Sequence, residues 1–269
     1  MTGAAAHETA AETATGALTG PQAAAEVKAA VSRLGGAFTV DPAMHAACAA
    51  AGYPDWALGV AGRAAPLGEV PPDIVAAALV FFPADHVVRA CAATRAVSPP
   101  SRVLETFLGA CHGWGRAHLA GVDGLDVVCP LLDRVVASAD AAGVPLFAGW
   151  RAVPQPDDLP ARAAHLLHLL REHRTGLHAL VVLAADLSPL EAILAAPHGE
   201  AAAAVFGWTP PYPPVAHVRD RWEAAEERTD ALVGRAYGAA LAPAELATMV
   251  RVLPAALDAV YPPEETAVE

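Results

Sequence analysis

Proline and glycine divide the chain into segments of helical length, and this punctuation limits the fold more than any other feature. The sequence holds 24 Pro and 21 Gly in 269 residues. Pro removes a backbone donor and Gly supplies the conformations that a helix end requires, so both favour helix boundaries. Between them lie stretches rich in Ala and Leu, which lose little side-chain entropy in a helix. The punctuation predicts helices over 21–34, 41–51, 55–64, 72–81, 84–96, 99–119, 123–142, 158–185, 188–196, 200–206, 215–239 and 243–260.

Few segments alternate polar and apolar residues as a strand would. The exception is GVPLFAGWRAV at 143–153, for which a strand or extended crossing and a short helix both remain open. The predicted fold class is all-α, a multi-helix globular bundle. The loops at 155–160 and 208–214 are candidate subdomain boundaries. The predicted organisation is a disordered tail (1–20), an N-terminal helical domain (21–154), a C-terminal helical domain (155–261) with a long helix at 158–185 and a charged amphipathic helix at 215–239, and a second tail (262–269).

The charge balance makes nucleic acid an unlikely partner. The formal net charge is −12 and the sequence pI is about 5.3, so the chain repels a phosphate backbone. The four cysteines form no C-x-x-C pair, which favours buried thiols over a zinc or redox site. The first twenty residues lack a signal-peptide pattern, and no run approaches about 18 apolar residues. A cytoplasmic protein without a membrane span is therefore expected.

Several enzyme classes have recognisable motifs, and none of those motifs occurs in this chain. The sequence lacks G-x-S-x-G, G-x-x-x-x-G-K-[ST], G-x-G-x-x-G after a strand, and H-E-x-x-H. These absences argue against hydrolase, NTPase, Rossmann dehydrogenase and zinc-protease activities. No metal site is predicted, because His165 and His168 lack an obvious carboxylate as third ligand. No particular cofactor is indicated, and acid/base chemistry without a cofactor is slightly favoured.

The most informative segment is ARAAHLLHLLREHRTGLHALVVLAADL at 161–187. On a helix that advances about 100° per residue, a polar stripe falls opposite a leucine stripe. One interpretation is a surface helix whose Arg and His side chains are solvated or paired with carboxylates. The other is a stripe that lines a cavity, because the residues after His178 are apolar on all sides and would carry His178 and Arg174 inside. A buried Arg then requires an internal acid or a bound anionic ligand. The polar stripe comprises His168, Arg171, Arg174, Thr175 and His178.

Two further regions contain candidate polar residues. In WALGVAGRAAPLG at 56–68, Arg63 lies among small residues and either projects into a crowded interior or caps a helix end. In the segments at 81–90 and 107–121, the pattern favours Trp114 as core and the charged residues as surface. The candidates in those two segments are His86, His112, Trp114, Arg116 and His118.

Three segments carry a family resemblance: GRAAPLG at 62–68, LREHRTGLHAL at 170–180 and EERTDAL at 226–232. Over roughly residues 40–245 the chain resembles an actinobacterial family of helix-rich proteins often labelled helix-turn-helix or MarR-like. The resemblance implies a helical fold with a degenerate winged-helix-like C-terminal part and no defined biochemical role. The chain departs from the family at WTPPYPPVAHV (208–218), which stands where members have a recognition helix and a wing. The element that would enter a major groove is therefore shortened and rich in proline.

Charge in the C-terminal part agrees with that departure. From residue 201 onward five arginines stand against ten acidic residues, a net charge of −5. A segment with this charge is a poor DNA-binding surface.

The resemblance preserves a set of polar residues that would mark a pocket. Arg174 and His178 are the predicted catalytic residues, with His178 as the acid/base because its proton exchanges near neutral pH. The predicted ligand-binding residues are Arg63, Arg171, His173 and Trp208. Arginines in this set would clamp an anionic or carbonyl-bearing ligand.

The leading functional prediction is a helical small-molecule-binding protein. In its enzymatic form it is a tailoring enzyme of bacterial specialised metabolism, acting on a mostly apolar substrate with a polar or anionic group. The alternative is a ligand-responsive MarR-like transcriptional regulator that has lost most DNA-binding features. A third interpretation is a partner protein that forms a homodimer through the amphipathic helix at 219–241.

Overall fold

The computed structural model describes residues 17–54 and 56–262. Within them the chain forms thirteen α-helices and no β-strand, which confirms the predicted all-α class. Most of the two predicted tails, 1–16 and 263–269, lies outside the described residues. The helices are α1 Gly20–Leu34, α2 Pro42–Ala51, α3 Ala57–Ala64, α4 Pro72–Ala78, α5 Ala84–Arg95, α6 Pro100–His118, α7 Leu125–Ser138, α8 Pro145–Arg151, α9 Leu159–Ala184, α10 Pro189–Ala195, α11 Gly199–Val205, α12 Arg219–Ala240 and α13 Pro243–Val260.

Helix starts follow the capping chemistry of the sequence. Thr19 before α1 and Ser188 before α10 each accept a backbone N–H from the residue three positions on. Gln22 and Glu191 accept the N–H of the cap residue in return, which completes two capping boxes. Pro stands at the first turn of both helices, where its missing N–H is not needed.

Of the two structures considered for 143–153, the short helix is correct and the strand is wrong. Gly143 has φ of 76°, and Pro145 then begins α8, which ends at Arg151. Leu146, Phe147 and Trp150 are buried on one side of this helix. Helical spacing of these three large side chains explains why the segment does not continue as an extended chain.

The long helix α9 is the central element of the bundle. It packs against α1, α6, α7, α8 and α12. Neighbours cover both faces of its N-terminal half, so Leu166 and Leu169 are buried and so are His165 and His168. The main hydrophobic core surrounds this half and includes residues from both sides of position 155. The division of the chain into two domains at that position stays a prediction.

Helices α1 and α12 cross at a contact between two glycines. A Cβ on Gly234 would lie 2.3 Å from the backbone nitrogen of Pro21, and a Cβ on Gly20 would lie 2.0 Å from the carbonyl oxygen of Gly234. Only glycine permits backbones to approach this closely. The contact brings Lys28 of α1 beside the acidic face of α12.

The segment between α4 and α5 is irregular, although the sequence predicts a helix over 72–81. Helix α4 ends at Ala78, and Leu79 follows with ψ of 55°. The backbone oxygen of Phe81 accepts the indole N–H of Trp208 at 2.9 Å. A tertiary contact thus replaces the helical hydrogen bonds that periodicity predicts.

The proline-rich segment after Trp208 forms no helix until Ala216 and contains a cis Pro210–Pro211 peptide. The described chain then continues as α12 and α13, with no strand between or after them. Helix α12 packs on α1, α7 and α9 of its own chain.

No described helix taken singly is long and apolar enough to cross a membrane. Helices α9 and α10 together satisfy length and composition, but they are bent by 107°. The four cysteines are buried thiols, as predicted.

Candidate functional site

The polar face of α9 meets the acidic face of α12. Asp158 caps α9 and accepts the N–H of Ala161, which fixes the start of the helix. From that start, 3.6 residues per turn place Arg174 and His178 four positions apart on the same face. Glu226 and Asp230 have the same spacing on α12. Arg174 and His178 on α9 therefore lie opposite Glu226 and Asp230 on α12.

Arg174 is buried and fully engaged by carboxylates. Its Nη1 donates to Oδ1 of Asp230 at 2.6 Å, and its Nη2 donates to Oε2 of Glu226 at 2.9 Å. Lys28 lies 3.6 Å from Glu226 and 3.4 Å from Asp230. Two cations and two carboxylates thus balance, so this cluster carries no excess charge with which to attract an anion.

The imidazole of His178 is oriented by Thr229. The Thr229 hydroxyl donates to the carbonyl oxygen of Ala225 at 2.7 Å, so its oxygen is free to accept. Nδ1 of His178 lies 3.0 Å from that oxygen and must be the donor. In the neutral ring Nε2 is then a bare acceptor, and it lies 3.4 Å from Oε1 of Glu226. Two acceptors therefore stand side by side.

Burial lowers the pKa of His178 below its ordinary value of 6.5. The Glu226 carboxylate raises that pKa, but the effect of removing the ring from water is larger. His178 is consequently a neutral base at pH 7, with Nε2 as its basic atom.

A cavity of about 450 Å³ opens at this pair of acceptors. Arg174, His178 and Glu226 line one side of it. The ring of Phe81 stacks on His178 with 5.5 Å between centroids. The remaining lining contains the polar residues Lys28, Ser32 and Thr175 and is otherwise apolar, with Ala29, Ala192, Ile193, Ala196, Ala202, Phe206 and Trp222. The arrangement suits a mostly apolar molecule with one polar end.

Arg63 belongs to a different cavity. Its guanidinium forms two parallel hydrogen bonds to Glu172, from Nε to Oε1 and from Nη2 to Oε2, each 2.9 Å. Arg171 lies 3.2 Å from the same carboxylate and lines neither cavity. The structure therefore does not bring Arg63 together with Arg174.

The other two predicted ligand-binding residues support neighbouring elements. His173 is buried against Phe147, with 4.7 Å between ring centroids. Trp208 holds the backbone of Phe81 through its indole N–H. Neither residue lines the two cavities described.

Among the remaining candidates, Trp114 lies in the core and the charged residues lie at the surface, as the sequence predicted. Trp114 is core, whereas Arg116 and His118 are exposed beside Asp158 and Asp41. His112 lies 3.1 Å from Nδ1 of the buried His165, and His86 stacks on Phe82. The described residues contain no group of three His, Cys, Asp or Glu side chains that would hold a metal ion.

Sequence reasoning does not identify the acidic partners of the predicted residues. Glu172, the partner of Arg63, stands unremarked between Arg171 and His173, and Glu226 and Asp230 are part of a charged helix face. The spacing of four residues between Glu226 and Asp230, which matches that between Arg174 and His178, is the signal that identifies this second pair.

The sequence profile of a helix-turn-helix family matches residues 24–219. The chain belongs to this helix-turn-helix family. The matched range includes the motifs at 62–68 and 170–180 and ends before the one at 226–232. It also includes Arg63, Arg174 and His178, so both cavities draw lining residues from the family region. No curated protein and no solved structure matches the chain.

Proposed function

We propose that this member of the helix-turn-helix family is a small-molecule-binding protein, and that its binding site is the cavity beside His178. The observation that carries the proposal is a cavity of about 450 Å³ with a neutral imidazole in a polar side and mostly apolar walls elsewhere. Sites for small molecules have this composition: apolar walls with a few fixed polar groups.

The polar groups select a ligand that donates a hydrogen bond. Nε2 of His178 and Oε1 of Glu226 are both acceptors and lie 3.4 Å apart. A ligand hydroxyl would donate to one of them and a ligand amine to both, whereas a carboxylate would be repelled by Glu226. The sequence predicts a substrate with a polar or an anionic group, and these two acceptors favour the polar group.

The same geometry supports acid/base catalysis by His178. Nε2 would accept the proton of a ligand hydroxyl, which leaves an imidazolium on His178 and an oxyanion on the ligand. Glu226 would stabilise the imidazolium, and Thr229 would keep the ring in the required tautomer. Arg174 is then a positioning residue, because it holds Glu226 in place. The enzymatic form of the proposal is a tailoring enzyme of bacterial specialised metabolism.

Binding of 2-naphthol and 2-methoxynaphthalene tests the donor requirement. Both have an apolar double ring, but only 2-naphthol can donate. We expect 2-naphthol to bind about three- to tenfold more tightly by calorimetry, as one hydrogen bond predicts. His178→Ala should abolish that difference, and the control His198→Ala, on an exposed residue outside the cavity, should retain it. Equal affinities in the parent protein would contradict the proposal.

A second candidate function, a ligand-responsive regulator, is favoured by the family match itself. Against it stand the net charge of −12 and the absence of a described strand in the C-terminal part. A gel-shift assay at low salt, with DNA from upstream of its own gene and a scrambled DNA of equal length, decides the matter. A shift specific to the upstream DNA would establish the regulator, since even weak binding is visible at low salt.

A further inference from the structure

A second cavity, which the proposed function does not use, lies on the other side of Phe81. Its volume is about 160 Å³, and it is bounded by the segment after α4, the start of α8 and the middle of α9. Phe81 and Thr175 contribute to both cavities. Leu180 and Leu183 line the second one and are 45% and 50% exposed, so they mark its opening to solvent.

Arg63 is the cationic group in the wall of this cavity. It is only 4% exposed, and Gly62 before it allows α3 to approach Phe107, where a Cβ would lie 2.2 Å from the ring. Glu172 occupies Nε and Nη2 of the guanidinium. No described group accepts a hydrogen bond from Nη1, which therefore remains available to a ligand.

Arg63 and Glu172 are the charged residues of the wall, and Arg171, which lies outside the wall, gives this three-residue cluster an excess of positive charge. Arg63 and Arg171 both face Glu172, whose carboxylate is completely buried and balances only one of them. His168, whose Nε2 lies 3.9 Å from the same carboxylate, adds no charge near pH 7, because burial lowers its pKa to about 4. An excess positive charge in a buried cluster favours an anionic ligand, and a guanidinium edge suits a carboxylate.

The volume limits the size of that ligand. A cavity of about 150 Å³ is known to hold benzene, and this one is about 160 Å³. Its walls suit a ring, because Leu79, Phe82, Val144 and Phe147 surround it. The guanidinium carbon of Arg63 lies 5.7 Å from the ring centre of Phe82, which keeps the cation beside the apolar space.

We infer that the Arg63 cavity binds a small carboxylate with a single six-membered ring, of the size of benzoate. The carboxylate would accept hydrogen bonds from Nη1 of Arg63, and the ring would fill the apolar space towards Leu180 and Leu183. This site is separate from the His178 cavity and goes beyond the function proposed for it.

Calorimetry with benzoate, toluene and benzyl alcohol tests the inference. We expect benzoate to bind about tenfold more tightly than either neutral compound, because a charge-assisted hydrogen bond is stronger than a neutral one. Nuclear Overhauser contacts should join the benzoate ring to methyl groups of Leu180 and Leu183. Equal binding of all three compounds, or no binding of benzoate, would overturn the inference.

The deciding variant fills the cavity without touching the ion pair, because Arg63→Gln would remove both Arg63 hydrogen bonds to the buried Glu172 and endanger folding. Ala179 lines the cavity, so Ala179→Leu should reduce benzoate affinity about tenfold or more. Ala184→Leu, on an exposed position of the same helix outside the cavity, should leave it unchanged. Unchanged affinity in Ala179→Leu would place benzoate elsewhere and refute the assignment.

One further variant separates this inference from the proposed function. His178→Ala should keep the benzoate affinity while removing the preference for 2-naphthol. Loss of benzoate binding in His178→Ala would mean that benzoate occupies the larger cavity, which contradicts the inference.

Discussion

At the scale of single residues, the interior holds charges because each lies beside a group of opposite charge. Glu172 receives both Arg63 and Arg171, and Arg174 is shared between Glu226 and Asp230. Removing one partner of a buried pair leaves an uncompensated charge, which destabilises a fold far more than the loss of a surface pair. Stability should therefore be most sensitive to the carboxylates of these clusters.

Glu172→Gln tests this sensitivity with little change in volume. The variant leaves Arg63 buried opposite a neutral amide, so the free energy of unfolding should fall by about 3 to 5 kcal/mol. Urea denaturation measures the fall. The control Glu105→Gln removes an exposed partner of Arg102 and should change stability by less than about 1 kcal/mol. Similar losses in both variants would show that the buried pair is not special.

The protonation of His178 should control binding at the larger cavity. Burial lowers the pKa of His178, so Nε2 is a bare acceptor at pH 7.5 and becomes a donor once the pH falls below that pKa. The preference for 2-naphthol over 2-methoxynaphthalene should therefore be present at pH 7.5 and disappear on acidification below the ordinary value of 6.5. Calorimetry during acidification measures it, and a preference that His178→Ala retains at pH 7.5 would exclude His178 as the acceptor.

Helical periodicity places Arg174 and His178 on one arc of α9, and this much follows from the sequence. The same reasoning indicates that a buried Arg needs an acid or an anionic ligand. It does not identify Asp230 or Thr229, which lie 56 and 51 residues further along the chain. Those partners depend on how α12 packs on α9, and a tertiary arrangement of this kind is not encoded in local spacing.

At the scale of helices, the crossing of α1 and α12 should be intolerant of any side chain. A Cβ at Gly234 would lie 2.3 Å from the nitrogen of Pro21, so Gly234→Ala must push the two backbones apart. The resulting loss, about 1 to 3 kcal/mol of overpacking, should exceed the gain of about 1 kcal/mol from helix propensity. Urea denaturation should therefore show net destabilisation.

Gly109→Ala is the matched control for that substitution. Gly109 lies inside α6, and a Cβ there would meet nothing within 4 Å. Only the propensity gain applies, so the variant should be more stable by about 0.5 to 1 kcal/mol. The opposite signs of the two alanine variants are the critical result. Stabilisation by Gly234→Ala would mean that the helices separate easily.

The helices themselves follow closely from Pro and Gly punctuation, whereas the segment that separates the cavities does not. The predicted helix at 72–81 continues through Phe81, but the observed α4 ends at Ala78. Periodicity cannot detect this end, because the indole of Trp208 takes the Phe81 carbonyl from 127 residues away. The irregular turn is what brings Phe81 between the two cavities.

At the scale of the whole molecule, buried histidines should make the fold sensitive to acid. Burial lowers the pKa of His165 to about 3 and the pKa values of His168 and His173 to about 4. In the unfolded chain each titrates near 6.5. Between these values the unfolded chain binds protons that the folded one excludes, so stability falls as the pH falls.

The expected pH profile follows from that difference. The free energy of unfolding should be level above pH 7, and below 6.5 it should decrease by about 1.4 kcal/mol per pH unit for each of the three histidines as it becomes protonated in the unfolded chain. Glu172, whose pKa the adjacent Arg63 and Arg171 keep at about 2 despite burial, adds a further loss of stability below pH 4.5.

Urea denaturation from pH 7.5 to 4.5 measures the slope. His173→Gln should reduce the slope by about 1.4 kcal/mol per pH unit, and His217→Gln, on an exposed ring, should not change it. A level profile from pH 7.5 to 5 would mean that these imidazoles are hydrated in the folded protein, and the packing described for α9 would then be incorrect.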